Sequence, residues 1–85
     1  MKKQQKQIYH IIDNILWESW NPIGNVPRDE YQGYVPQIFK LKIEGADKFK
    51  IAKQLYEFET INMGLHGNME HCEYVAEKIL DIKLT

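Results

Sequence analysis

The chain has very little of several residue types that carry chemistry. In 85 residues there is one cysteine, Cys72, one serine, Ser19, and one arginine, Arg28. A single cysteine makes no internal disulfide, which fits a reducing compartment. A single serine, set on a helix face beside an apolar stripe, nearly excludes a serine-based catalyst by supply. One arginine, a net charge of −1 and no stacking motif of aromatics interleaved with the lysines argue against nucleic acid as a partner. No apolar run approaches the ~18 residues of a membrane span, so no membrane partner is expected. The basic start MKKQQKQIYHII lacks a signal-peptide core, and a cytoplasmic location is the natural expectation. CxxC, HExxH, GxGxxG and GxxxxGK[ST] are all missing, so no cofactor is expected.

What is present describes a small all-α protein. A hydrophobic fraction of 44% and a charged fraction of 27% suit one folded domain over residues 1–85. Ile8, Ile11, Ile12, Ile15 and Ser19 follow the 3.6-residue period, widened by Leu16, and predict a first helix over about residues 3–19. Lys2, Lys3 and Lys6 oppose the positive end of its dipole, so residues 1–6 are expected to fray. Pro22 stops this helix by Trp20. Asp29 and Glu30 suit a helix start, and Tyr31, Tyr34, Val35, Ile38 and Leu41 give a second stripe over about residues 29–44. Pro36 breaks or kinks that region, most simply as a short helix leading into a longer one. Gly45 and Asp47 punctuate the next junction. A third helix over about residues 48–62 buries Ile51, Ala52, Leu55, Phe58 and Asn62. A fourth, capped by Asn68, runs over about residues 69–82 and buries Cys72, Val75, Ala76, Ile79 and Ile82. Short connections fold these four helices into an antiparallel bundle.

Three clusters stand out. The stretch WNPIGNVPRDEYQGY, residues 20–34, concentrates aromatics, prolines, glycines and an acid pair. It reads as a packed corner in which the aromatics close the end of the bundle and the acids hold loop N–H groups or Arg28. Trp20, Asp29, Glu30, Tyr31 and Tyr34 also make a candidate interaction surface, because aromatic anchors dominate binding hot spots. A small-molecule-binding or weakly catalytic corner built on Asp29, Glu30 and Tyr31 is the alternative. The second cluster, HGNMEHC, offers His66, Glu70 and His71 as metal candidates. Consecutive helix positions point about 100° apart, however, and Cys72 falls on the apolar stripe. The third is a charge asymmetry. Residues 1–53 hold nine Lys and Arg against six Asp and Glu, a net of +3, while residues 54–85 hold two against six, a net of −4. Lys40, Lys42, Lys48, Lys50 and Lys53 form a candidate basic patch, either a solvated face or a docking face for an acidic partner or a second copy.

Trp20-Asn21-Pro22-Ile23-Gly24, Asp29-Glu30-Tyr31 with Tyr34, Gly45-Ala46 and Met63-Gly64-Leu65 together resemble the signature of the YugE-like family, small bacterial proteins known chiefly from Bacillus relatives. The resemblance spans about residues 8–80. The chain departs from the family pattern at Ala46-Asp47-Lys48, where Ser and acidic residues are usual. The resemblance implies a small all-α domain in a bacterial cytoplasm, and it implies no activity, cofactor or catalytic residue. No catalytic constellation is recognisable. The expectation is therefore not an enzyme but an interaction module, regulatory or immunity-like, that binds another protein or itself as a homo-oligomer.

Overall fold

The computed structural model describes residues 2–83, so Met1, Leu84 and Thr85 lie outside it. The protein is a small all-α bundle of four helices, α1 (Lys3–Ile15), α2 (Val35–Ile43), α3 (Lys48–Glu57) and α4 (Met69–Leu80), with no strand among the described residues. None of these helices is long and apolar enough to cross a membrane. The α3–α4 pair forms the most extensive packing, and α1 lies against both α2 and α4. The core is Ile12, Leu16 and Trp20 from the first helical segment, Tyr31, Val35 and Ile38 from the second, Ile51, Ala52, Leu55 and Phe58 from the third, and Cys72, Val75, Ala76 and Ile79 from α4.

Local chemistry fixes the helix ends. Asp47 Oδ1 accepts from the Lys50 amide at 2.8 Å, and Asn68 Oδ1 accepts from the His71 amide at 3.0 Å. Gly45, at φ +82°, ends α2 in a Schellman motif. There the Ala46 amide donates to the Leu41 carbonyl and the Gly45 amide to the Lys42 carbonyl.

Two features depart from expectation. The second helical region begins later than Asp29, because residues 28–31 form a turn and a short 3-10 segment, Gln32–Tyr34, leads into α2. Pro36 lies in the first turn of α2 and has no N–H to donate to the Gln32 carbonyl. The Val35 amide takes that carbonyl instead, which gives the tighter winding. Asp29 therefore caps no helix. Second, α1 and α3 both end in a π turn, Leu16–Trp20 and Phe58–Asn62. They are closed by Asn21 N–H to the Leu16 carbonyl and Met63 N–H to the Phe58 carbonyl, each at 3.0 Å. The wider turn rotates the last residues about the helix axis. Phe58 and Glu59 are the buried residues of the second turn, and Asn62, expected inside, is exposed.

Candidate functional site

The two π turns and the first turn of α4 meet around one carboxyl group. Glu59 is only 2% exposed. Its Oε2 accepts from Trp20 Nε1–H at 2.7 Å and from the Cys72 thiol at 3.2 Å. Its Oε1 accepts from the Asn68 amide at 2.9 Å. A buried acid is costly unless such donors replace water. The donors come from two other segments, Trp20 at the end of the first helical segment and Asn68 and Cys72 at the start of α4, so this single side chain, on the π turn after α3, ties the three together. His71 adds a second tie. Its Nε2 lies 2.8 Å from the Ser19 carbonyl and 3.2 Å from the Trp20 carbonyl. Both neighbours are acceptors only, so Nε2 carries the proton and donates to the C-terminal end of the first helical segment.

The corner formed by residues 20–34 is completed by Tyr31. Its hydroxyl donates to Asn21 Oδ1 at 2.7 Å and accepts from the Ile23 amide at 3.1 Å. Asn21 adopts φ +32°, a left-handed geometry that Asn tolerates better than most residues. The ring of Trp20 packs at 5.3 Å from Tyr31, edge-on at 5.8 Å from Tyr34, and at 6.2 Å from Phe58. Trp20 and Tyr31 are each 1% exposed, which makes them core residues and not surface anchors. Tyr34 is half-buried, and Asp29 and Glu30 are exposed. The structure thus brings the three aromatics together and leaves the two acids outside the corner. Arg28 turns away from them to Asp13 and Asn14, and it lies 5.6 Å from the Trp17 ring. Tyr31→Phe strands the Asn21 and Ile23 partners and is expected to cost about 1–3 kcal/mol in urea unfolding. Glu30→Gln should change stability by no more than ~0.5 kcal/mol in the same assay.

Cys72 is chemically quiet. Burial first, then the hydrogen bond and charge of Glu59, push its thiol up from 9.0 to about 12. The thiol is therefore a neutral donor at physiological pH and a poor nucleophile. The folded value lies above the unfolded one, so the stability it contributes is complete below pH 9.0 and is lost as pH rises toward about 12. The stability difference between wild type and Cys72→Ala, followed by urea melts across that window, should shrink as pH rises. A difference that stays flat would contradict the assignment.

A cleft of about 350 Å³ opens over this hub, walled by Pro22 and Leu65 with Glu59, Asn68 and His71 behind them. A second cleft of about 440 Å³ shares Asn68 and His71 and continues to Glu70 and Tyr74. Neither Asp29 nor Glu30 lines either one. His66, Glu70 and His71 do not converge, and among the described residues no group of three His, Cys, Asp or Glu is placed to hold a metal. The lysine cluster divides. Lys42 donates to the Leu80 carbonyl at 3.1 Å, and Lys48 pairs with Glu77 at 3.1 Å and lies 4.0 Å from Glu73, whereas Lys40, Lys50 and Lys53 are exposed.

Sequence reasoning missed Glu59 and the helix-end role of His71. The signal for Glu59 was present, because it lies four residues beyond Leu55 and eight beyond Ile51 on the apolar stripe, where an acid is out of place. Comparison with family models, characterised proteins and solved structures finds no match to the chain.

Proposed function

We propose that this protein is a small interaction module that binds another protein through the end of the bundle where α1 stops and α4 starts. The observation that carries the reading is a division of labour at that end. Glu59, Cys72 and His71 are each committed to holding the fold together. Directly beside them, Leu65 at 37% and Tyr74 at 51% keep large apolar surfaces in solvent along two clefts that run into each other. Tyr74 is stacked on His71 at 6.0 Å and flanked by Lys78 at 5.3 Å, so it loses little freedom on binding. A fixed tyrosine next to a partly apolar cleft has the character of a binding hot spot. The exposed acids Asp29 and Glu30 and the free lysines Lys40, Lys50 and Lys53 would set orientation and on-rate.

The test uses immobilised wild type and a Leu65→Ser/Tyr74→Ala variant, both surface changes, with a lysate of the source cells. A protein retained by the wild type and lost from the variant supports the reading. Identical capture by both, or capture of nothing above background, counts against it. Sedimentation of the two proteins alone separates partner binding from self-association, since a second copy acting as the partner would make only the wild type oligomeric.

A further inference from the structure

We infer that the cleft over Glu59 receives an ammonium group, the side chain of a lysine in the partner. The inference rests on the interaction reading above and deepens it. The three groups that satisfy Glu59 are an indole, an amide and a thiol, all of them neutral. A carboxyl oxygen accepts two hydrogen bonds. Oε2 already has two, from Trp20 and Cys72, while Oε1 has one, from Asn68. One acceptor position therefore stays open, on a side chain that lines the cleft.

The surroundings favour a cation. No Lys or Arg lines the cleft. His71 is turned to the Ser19 and Trp20 carbonyls through Nε2 and so does not neutralise the acid by direct contact. The form of the cation follows from the oxygen count. A guanidinium fork needs both carboxyl oxygens, and Oε2 is full, whereas an ammonium needs a single acceptor. Pro22 and Leu65 wall the approach with hydrocarbon, which suits the four-carbon stem of a lysine. A divalent metal is disfavoured because Glu59 has no second and third ligand beside it among the described residues.

The experiment is a two-dimensional proton–nitrogen NMR titration of the full chain with Nα-acetyl-lysine N-methylamide. The norleucine and arginine analogues and butylammonium are run at matched ionic strength. Saturable shifts of the Trp20 indole N–H and the Asn68 amide are expected with the lysine analogue and with butylammonium, which shares its ammonium and four-carbon stem, and weaker or no shifts with the other two. Leu65→Lys, at a partly exposed wall position, places a tethered ammonium at the cleft and should weaken binding by about tenfold or more, the loss of one charge-assisted hydrogen bond. Phe49→Lys, the same added charge at an exposed position that does not line the cleft, should keep the wild-type affinity. Absent or unsaturable shifts at those two N–H groups overturn the inference, as do equal shifts with the norleucine analogue. Tighter binding of butylammonium than of the lysine analogue, whose peptide-like groups the cleft would then exclude, assigns the site to a free amine and overturns the partner lysine. A partner captured from lysate while the lysine analogue fails to bind overturns this inference and leaves the interaction reading standing.

Discussion

Glu59→Ala is expected to be among the most damaging single substitutions in the chain, with a loss of about 3–5 kcal/mol in urea unfolding and little change in the slope. The change does more than remove one side chain. It strands Trp20 Nε1–H, the Asn68 amide and the Cys72 thiol in one stroke, all in a region where Trp20 and Cys72 are buried. Each orphaned donor costs roughly 1–3 kcal/mol when water cannot replace the acceptor, and the cleft admits water to part of the site, which holds the total below the sum. Glu59→Gln should lose less, because its carbonyl oxygen still accepts while its NH2 group faces donors. A loss under about 1 kcal/mol for Glu59→Ala would mean that the hub contributes little to the fold.

Gly67→Ala should cost about 2–4 kcal/mol, combining left-handed strain with overpacking. The backbone there sits at φ +83°, and an added Cβ would lie 2.5 Å from Tyr56 Cε2 and 2.7 Å from Thr60 Cγ2. Thr60 has little room to yield, since its hydroxyl donates to the Tyr56 carbonyl at 3.0 Å. Gly45 provides the control. Its φ is +82°, but an added Cβ meets nothing within 4 Å. Gly45→Ala therefore reports the strain alone, about 1–2 kcal/mol. The excess of Gly67→Ala over Gly45→Ala, read from paired thermal or urea melts, measures how tightly the loop before α4 is pressed onto α3. Adding Tyr56→Ala should recover part of that excess. Equal costs at the two glycines would contradict the close approach.

Much of the fold was legible because it is local. The apolar stripes of α1, α3 and α4, the caps at Asp47 and Asn68, and the glycine stop at Gly45 each depend on residues within one or two turns. The site was harder to read because its bonds are not local. Glu59 meets Trp20 across 39 positions and Cys72 across 13, and neither pairing leaves a periodic trace. The π turns have the same origin. A 3.6-residue period carries the third stripe from Phe58 to Asn62, and the wider turn moves Asn62 out to solvent while Glu59 stays on the buried face. Asp29 and Glu30 misled for the opposite reason. They have good local credentials for a helix start, but the burial of Tyr31 and the missing N–H of Pro36 decide where the helix begins.

The stretch from Trp20 to Tyr34 thus divides in two. Its aromatics and Asn21 are a folded corner, and its acids are free surface. The claim that this corner is locked from outside, by Glu59, is tested most directly by a double-mutant cycle of Trp20→Phe and Glu59→Gln in urea unfolding. Phenylalanine removes the indole donor while keeping an aromatic ring against Tyr31 and Phe58. A coupling energy of about 1 kcal/mol or more is expected for a buried, charge-assisted bond of this kind. Additive losses, with coupling within ~0.3 kcal/mol, would contradict it and would make the meeting of the two π turns incidental to the stability of the fold.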